Sequence, residues 1–404
     1  MNHLQSCVLG AVLATLALVA PSTSEAQKRY DPGASDTEIK VGNTMPYSGP
    51  LSAYSTIGKV EAAYFRMINE QGGINGRKIN FITLDDGFNP AKTVEMARKL
   101  VEQDEVLLIF NPLGTPTNLA TRKYMNAKKV PQLFIASGPS TWNEPMNYPW
   151  TMGWQPNYQS EAQIYARHIL QTRPSARIAV LYQNDDAGRD YVKGLHDGLG
   201  ERARTMIVKE VSYEVTDPTV DSQIVQLQAS GADVFFNESA PKAAAQAIRK
   251  AYDIGWKPVQ YLVNISVSIA SVLTPAGLEK SEGLISSGYL KDLTDPQWDN
   301  DPGTLAWKAF MRKYYPEGSL ADSANVYGYA VAATLVQVLT QCGNELTREN
   351  VMKQAANLKN FRVEVMLPGI MINTSSADFA PIESLQLMRF DGRKWVFSGE
   401  IMGR

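Results

Sequence analysis

The sequence has few of the residues that form disulfides or bind metal ions, with two cysteines and three histidines among 404 residues. Neither sign of charge dominates, because 39 lysines and arginines stand against 41 aspartates and glutamates, a formal net charge of −2. The basic residues are scattered, so no footprint for nucleic acid or an anionic membrane surface is present. With 44% hydrophobic residues, the chain is predicted to be a globular protein of about two domains, each with its own core.

One uncharged run near the N-terminus differs from the rest of the chain. Residues 8–20 carry no charge, and the small-residue site at 24–26 places cleavage before Gln27. Residues 1–26 are therefore predicted to be a signal peptide for export. A membrane anchor is the alternative, but thirteen apolar residues are short of the roughly 20 that span a bilayer. Cleavage leaves Cys342 alone, so no internal disulfide is expected.

Short apolar runs alternate with amphipathic stretches after residue 37. Residues 56–71 place apolar side chains every three or four positions, as a helix with one buried face does, and residues 91–103 repeat the pattern. Such alternation is typical of βαβ units around parallel sheets with helices on both faces, so the predicted fold class is α/β. The runs of strand length are 39–44, 79–84, 106–110, 131–136, 178–182, 234–236 and 259–263.

Two irregular stretches divide this alternation. Residues 141–158 contain three prolines and three tryptophans without a helical stripe, and a second βα series follows them. Residues 283–301 are rich in Gly, Asp and Pro and precede helical patterns at 304–315 and 323–342. Two similar α/β halves joined by more than one crossover fit this order. Short strands are predicted near the end, at 385–390 and 394–398.

Motifs that would indicate catalysis are missing from the sequence. It has no Walker loop, no HExxH pair and no GxSxG elbow. His168 and His196 lie in helical stretches without a second metal ligand one turn away. The acidic pairs 85–86 and 185–186 follow strands, where Asp caps helices or stabilises turns. These observations favour a binding protein with no catalytic residue, metal ion or cofactor over an enzyme.

The most informative positions are two strand-to-helix joints. After the strand at 106–110, Gly114 permits close approach to the backbone, Thr115 is predicted as an N-cap and Pro116 as the first helical residue. A helix start of this kind offers free N–H groups and a positive dipole end to a carboxylate. A second joint with hydroxyl groups spans 136–141. Because the carboxyl ends of parallel strands meet at one edge, both joints are predicted to face one site.

Several motifs in order resemble those of the leucine/isoleucine/valine-type periplasmic binding proteins, and the resemblance covers nearly all of the chain after residue 37. It implies a type I two-lobed fold with a three-stranded hinge crossed near 156, 286 and 371. Lobe 1 would comprise 37–156 plus 287–371, and lobe 2 would comprise 157–286 plus 372–404. The motifs are IKVG at 39–42, PYSGP at 46–50, INEQGGING at 68–76, DDGFNP at 85–90, GT at 114–115 and the segment 182–198 with its DDAG core.

The resemblance also implies a role. Such a protein is the periplasmic receptor of an ABC importer, a monomer whose two lobes close on a small solute and deliver it to a membrane permease. Closure follows from the ligand's higher affinity for the closed state. A ligand-sensing domain of the same fold is an alternative, although residues after 376 contain no output domain or spanning helix.

Ligand-binding residues follow from the same resemblance. Two loops would hold a carboxylate, an aromatic residue would cover the ligand, and joints of the second lobe would complete the site. Tyr54, Trp142, Trp154 and Tyr158 would supply flat apolar walls. The predicted ligand-binding residues are Tyr54, Gly114, Thr115, Gly138, Ser140, Trp154, Asp186, Asn237, Ser239 and Asn264.

Asn264 marks the largest departure from the family pattern. Amino-acid-binding members place an acid near this position against the ligand's ammonium group, whereas this sequence has Asn-Ile-Ser at 264–266. A buried ammonium without a carboxylate partner loses several kcal/mol of solvation. The predicted ligand is therefore a small organic acid without an α-amino group, such as an aromatic acid. If Glu238 supplied the acid from the neighbouring joint, branched-chain or other amino acids would be the ligands instead.

Overall fold

The computed structural model describes residues 28–403. The predicted signal peptide at 1–26 lies outside the described residues. Within 28–403, no helix has both the length and the apolar character needed to cross a membrane.

Strands and helices alternate through most of this range, as the hydrophobic pattern predicts. The strands are β1 (Arg29–Tyr30), β2 (Glu38–Met45), β3 (Lys78–Asp85), β4 (Leu108–Phe110), β5 (Gln132–Ile135), β6 (Thr151–Gly153), β7 (Ile178–Gln183), β8 (Ile207–Tyr213), β9 (Val234–Asn237), β10 (Val259–Leu262), β11 (Ile285–Gly288), β12 (Glu345–Leu346), β13 (Ser384–Phe390) and β14 (Trp395–Gly403). The α-helices are α1 (Ser55–Glu70), α2 (Pro90–Glu102), α3 (Thr115–Lys128), α4 (Tyr158–Thr172), α5 (Asp186–Leu199), α6 (Ala203–Met206), α7 (Asp221–Ala229), α8 (Pro241–Asp253), α9 (Thr274–Ala276), α10 (Leu278–Ser281), α11 (Pro302–Tyr314), α12 (Ser323–Cys342) and α13 (Arg348–Ala355).

The first sheet has five strands in the order β3-β2-β4-β5-β6, and every pairing is parallel. Both faces of its central strands are covered, so Val41, Leu108 and Leu133 are fully buried. Helix α12 packs along α1 on this sheet. The long helices α11 and α12 were predicted at 304–315 and 323–342, and the structure confirms both.

The second sheet has seven strands in the order β14-β13-β11-β10-β9-β7-β8. The five strands from β11 to β8 are parallel, whereas β13 and β14 run antiparallel at one edge. The chain passes from the first sheet after β6, returns to it after β11, and rejoins the second sheet at β13. The α/β fold class is thus confirmed, while the exact lobe boundaries stay a prediction.

Candidate functional site

A cavity of about 150 Å³ lies between the two sheets, where the carboxyl ends of their strands face each other. Parallel α/β sheets bind ligands at this edge because strand-to-helix joints converge there. We call this cavity the cleft. From the first sheet it is lined by Tyr54, Ile57, Gly114, Thr115, Ser137 and Tyr327, among others. From the second sheet it is lined by Gln183, Asp185, Glu238, Asn264, Ile265 and Ser268, among others.

The start of α3 forms a corner of hydrogen-bond donors in the cleft. Helix α3 begins at Thr115, with Gly114 at the cap in a left-handed conformation (φ +102°) and no side-chain cap. The predicted cap at Thr115 was therefore wrong by one residue, because glycine adopts this φ without strain. The Thr115 hydroxyl instead lies 2.5 Å from the Ser137 hydroxyl. Two hydroxyls beside an uncapped helix start suit a carboxylate.

Gly114 also lies where the surrounding atoms leave no room for a side chain. A Cβ added there would lie 2.4 Å from the ring of Phe88 and 2.7 Å from the Thr117 hydroxyl oxygen. Phe88 itself lines the cleft. The corner thus depends on a residue without a side chain for both its backbone angle and its packing.

Tyr54 spans the mouth of the cleft. Its hydroxyl donates a hydrogen bond to the carbonyl of Ile265 on the opposite side, at 3.0 Å. Burial raises the pKa of Tyr54 well above its usual value, so the phenol keeps the proton that it donates. Two further bonds join the same sides, from the Ser268 hydroxyl to Asp322 at 2.9 Å and from the Ala270 amide to Ala321 at 3.1 Å. The cleft is therefore closed.

Aromatic rings form part of the cleft wall. Tyr158 lines the cleft and stacks on Tyr191, with ring centroids 4.2 Å apart. Trp154 was predicted as a wall residue but is fully buried, and its indole nitrogen donates to Thr334 at 3.2 Å. It packs edge-on behind Tyr327, which takes the wall position.

Trp142 also lies away from the cleft wall. It is 3% exposed and sits under the guanidinium of Arg122, whose central carbon is 5.7 Å from the ring centroid. Of the four predicted aromatic walls, Tyr54 and Tyr158 line the cleft.

Carboxyl groups occupy the wall of the second sheet. Glu238 is 1% exposed, and its Oε2 accepts the backbone N–H of Gln183 at 2.6 Å. Burial raises its pKa well above the usual value. Asp185 caps α5 by accepting from the amides of Ala187 and Gly188 at 2.9 and 3.1 Å. Burial raises the pKa of Asp185 as well.

Glu161 supports the cleft from below without lining it. Its carboxylate accepts from the hydroxyls of Tyr165 and Tyr191 at 2.7 and 2.8 Å and from the backbone N–H of Asn264 at 2.6 Å. Burial raises the pKa of Glu161 to about 7. The Asn264 side-chain amide donates to the carbonyl of Ser287. Asn264 is thus fixed at both its backbone and its side chain.

Four of the ten predicted site residues line the cleft, namely Tyr54, Gly114, Thr115 and Asn264. The structure places Gly138 and Ser140 elsewhere. A Cβ on Gly138 would lie 2.5 Å from the ring of Tyr158, so this glycine permits packing. Ser140 begins a 3₁₀ turn after Pro139 redirects the chain, and its hydroxyl donates to Asp190 at 2.9 Å.

The other misplaced positions are off by one residue. Asp186 is the first residue of α5, exposed and 3.5 Å from Arg189, whereas its neighbour Asp185 lines the cleft. Asn237 and Ser239 are fully buried and hydrogen-bonded to each other, whereas Glu238 between them lines the cleft. After β9, successive side chains point in opposite directions, so a shift of one residue selects the other face. Asp185 and Asp186 differ instead because the first caps α5 and the second begins the helix.

Sequence reasoning missed Ser137, Tyr327 and Gln183 as lining residues. Ser137 was available from the sequence, since it is the first hydroxyl after the strand that ends at Ile135. Tyr327 lies on α12, 190 residues after Ser137 in the chain, so no local pattern links the two. In the described part of the chain, no group of three or more His, Cys, Asp or Glu side chains is placed to hold a metal ion.

A protein family and a characterised relative both match most of this sequence. Residues 38–394 match the family described as periplasmic binding protein. An amino acid binding protein of Pseudomonas aeruginosa is 22% identical over 338 residues, which are 82% of this chain and 84% of that protein.

Two solved structures show the same fold. A branched chain amino acid ABC transporter protein from Thermus thermophilus with bound valine has a TM-score of 0.82 and 17% identity, covering 91% of this chain and 97% of that one. A fatty acid ABC transporter substrate-binding protein from Thermomonospora curvata has a TM-score of 0.79 and 19% identity, covering 93% and 95%. At these identities the likeness is one of fold.

Proposed function

We propose, since this chain belongs to the periplasmic binding protein family, that it captures a small carboxylate-bearing organic acid without an α-amino group and delivers it to the permease of an ABC importer. Membership of the family implies an extracytoplasmic location, and the predicted signal peptide would direct the chain to the periplasm. The protein would act as a monomer, without chemistry, by closing on its ligand.

The corner at the start of α3 is the observation that carries this proposal. The Thr115 and Ser137 hydroxyls, 2.5 Å apart, adjoin the uncapped N-terminal end of α3 within the closed cleft. Hydrogen bonds from hydroxyls and helix-start amides to a carboxylate are charge-assisted, and burial strengthens them. Because the two hydroxyls are hydrogen-bonded to each other, one hydroxyl hydrogen stays free. A carboxylate placed here would accept from it and from the helix-start amides, donors that a neutral apolar ligand would leave unpaired.

The remaining walls favour a flat apolar body. Tyr54, Tyr158 and Tyr327 present aromatic side chains to the cleft, and Ile57 and Leu113 add aliphatic surface. Aromatic rings gain from offset stacking or edge-on contact in addition to area burial. Benzoate-like and phenylpropanoid acids combine this body with one carboxylate, and one protein of the same fold is named as a fatty acid ABC transporter substrate-binding protein.

Amino acids are the second candidate, and Glu238 is the observation that favours them. Its buried carboxyl lines the cleft, and no salt bridge involves it in the described part of the chain. A ligand ammonium would complement this acid even though position 264 is an asparagine. The P. aeruginosa relative is described as an amino acid binding protein.

A thermal-shift and calorimetry screen tests the proposal. The protein lacking residues 1–26 is unfolded and refolded to remove carried-over solute, then mixed with benzoates, phenylpropanoid acids, fatty acids and amino acids. A ligand at 100 times its Kd stabilises the folded state by about 2.7 kcal/mol. Stabilisation by aromatic acids and none by leucine or valine is the expected result. Stabilisation by amino acids alone would select the second candidate.

A matched pair of variants tests the carboxylate corner. Thr115→Val keeps the shape of the side chain and removes its hydroxyl, so the affinity for the carboxylate ligand should fall about tenfold or more. Thr340→Val is the control, because the Thr340 hydroxyl is exposed on α12 and, among the described residues, bonds only the carbonyl of Val336 in the same helix. If the two variants bound the ligand with equal affinity, the corner at Thr115 would not be part of the binding site.

A further inference from the structure

The cleft extends to the edge of the second sheet that the antiparallel strands form. Met388 of β13 and Trp395 and Phe397 of β14 line the same cavity as the corner at the start of α3. Val267 and Ile269, which follow β10, line it as well. We call the part of the cleft that these five residues line the arm. Its side chains are aliphatic, aromatic or thioether groups, whereas the corner carries hydroxyls.

Contacts place the arm residues together at the carboxyl end of β11. A Cβ added to Gly288, the last residue of β11, would lie 2.8 Å from the ring of Phe397 and 3.3 Å from the sulfur of Met388. The indole nitrogen of Trp395 donates to the carbonyl of Val267 at 2.8 Å. Gly288 also lines the cleft. The arm therefore leaves the cleft where β11 ends and lies between strands β13 and β14 and the segment that follows β10.

The charged side chains beside the arm are already paired. Lys291 lines the cleft, and its ammonium donates to Asp301 and to the carbonyl of Glu364, each at 2.7 Å. Asp292 lines it too, and both of its oxygens accept hydrogen bonds, one of them from the backbone N–H of Trp395 at 3.1 Å. A charged group of a ligand would lose solvation in the arm without gaining a free partner among these residues. The arm therefore favours an apolar group.

The arm reaches the protein surface. Ile269 and Phe397 are half-buried, and Leu320, which also lines the cleft, is 42% exposed. The amide of Ala270 donates to the carbonyl of Ala321 at 3.1 Å, so Leu320 lies beside the segment that carries Ile269. Exposed apolar side chains that adjoin a cavity are typical of ligand-binding grooves. Because the arm is open at this end, it sets no sharp limit on the length of a ligand.

We propose that the ligand has an extended apolar tail, which runs from the carboxylate at the Thr115 corner past Ile265 and fills the arm beside Ile269 and Phe397. Arylalkanoic acids and medium-chain aliphatic acids are the substrate class that this shape fits. Water in an apolar space has few hydrogen-bond partners, so a tail that displaces it gains the free energy of apolar burial. This inference rests on the proposed function, because it takes the carboxylate to bind at the corner.

A series of phenylalkanoates tests the inference on the unmodified chain. Benzoate, 3-phenylpropanoate and 6-phenylhexanoate share one ring and one carboxylate and differ only in the number of methylene groups between them. Each buried methylene raises affinity about threefold to fourfold, and ordering of the flexible chain offsets part of this gain. By calorimetry, 6-phenylhexanoate should therefore bind at least about tenfold more tightly than benzoate. A cleft that ended before the arm would instead reject the longest acid, because the acid would overfill it.

Two variants assign the effect of length to the arm. Ile269→Trp narrows the arm with a larger side chain, and Phe397→Ala removes one of its aromatic walls. Either change should bring the affinity ratio of 6-phenylhexanoate to benzoate close to one. Val225→Trp is the matched control, because Val225 is also β-branched, is 47% exposed on α7 and does not line the cleft. The control should keep the ratio of the unmodified chain.

The outcomes separate this inference from the function on which it rests. A ratio that favours the long acid and falls in at least one arm variant, but not in the control, supports the inference. Acids that bind with no gain from length would overturn it and leave the proposed function standing. A gain that persists in both arm variants would also overturn it, because the tail would then bind elsewhere. If no acid of the series bound at any length, the proposed function would fail and the inference with it.

Discussion

Asp190 and Ser140 belong to different halves of the protein and are hydrogen-bonded to each other. Both the amide and the hydroxyl of Ser140 donate to the two carboxylate oxygens of Asp190, at 3.0 and 2.9 Å. Ser140 follows β5 of the first sheet, whereas Asp190 lies on α5 beside the second. Gln159 donates to the same carboxylate at 2.6 Å. The pair therefore joins the two halves of the closed protein.

Asp190→Ala is expected to weaken ligand binding although Asp190 does not line the cleft. Hydrogen bonds to a charged group contribute about 1.5–3 kcal/mol each, and the two bonds from Ser140 to Asp190 join the halves in the closed protein. Loss of part of this energy lowers the closed population, so the affinity should fall about tenfold or more. Calorimetry measures the affinity, and small-angle scattering should show an expanded unliganded protein. Asp197→Ala is the control on the same helix, because Asp197 is paired only with Lys193 within residues 28–403, and it should change neither quantity.

Glu61 should destabilise the protein as its carboxyl ionises. It is fully buried on α1, neither oxygen has a hydrogen bond from the residues that the structure describes, and burial raises its pKa well above 4.5. Because the folded pKa is raised, this group's contribution is fully present below about pH 4.5 and is lost as pH rises toward the raised value. Glu61→Gln removes the titration. The difference in the free energy of unfolding, wild type minus variant, should therefore fall between pH 5 and pH 8. A difference that does not change with pH would contradict this prediction.

Glu61→Met is expected to stabilise the protein at pH 7. Methionine has a similar length and no polar atom, so it removes the desolvation cost of an unpaired carboxyl, a gain of about 1–3 kcal/mol. Urea denaturation measures this change in the free energy of unfolding. A lower midpoint in the variant would indicate that Glu61 has a partner in solution.

Glu161 should titrate near neutrality and couple this event to Asn264. Its folded pKa is about 7 against a usual 4.5, so its stabilising contribution is complete below about pH 4.5 and disappears as pH rises through 7. Glu161→Gln should flatten the fall in Tm between pH 5 and pH 8. It should also weaken ligand binding, because an amide cannot accept all three donors that the carboxylate accepts. An unchanged pH profile would show that Glu161 titrates elsewhere.

Gly114→Ala is expected to abolish ligand binding and to cost more stability than the backbone angle alone explains. The new Cβ would meet both Phe88 and Thr117 at the carboxylate corner. Gly343→Ala is the matched control, because Gly343 also has a positive φ but no atom within 4 Å of an added Cβ. The control should lose about 1 kcal/mol and keep its affinity. Equal losses in both variants would mean that the corner relaxes around the methyl group.

Helix positions could be predicted from the sequence because one buried face imposes a period on the whole segment. The stripes at 56–71 and 91–103 lie within one residue of Ser55–Glu70 and Pro90–Glu102. The fold class followed from the alternation of these stripes with apolar strands. Both signals extend over ten or more residues, so a local irregularity does not shift them.

Individual site residues depend on one or two positions and were therefore harder to predict. Asn237 and Ser239 were predicted as site residues, whereas the structure turns their neighbour Glu238 toward the cleft just after β9, where side chains alternate between faces. The choice of Ser140 over Ser137 depends on where Pro139 redirects the chain. Tyr327 reaches the cleft from a distant helix, so only the three-dimensional fold brings it there.

The bonds that close the cleft join protein to protein. Tyr54 is hydrogen-bonded to Ile265, and Ser268 is hydrogen-bonded to Asp322. Neither bond involves the solute that lies between the two walls. Each such bond slows reopening, so it lengthens the residence time of every ligand equally and adds nothing to the choice among ligands. The proposed role in transport requires the solute to leave again at a permease. The strength of these bonds therefore sets a compromise between holding a scarce solute and releasing it fast enough for turnover.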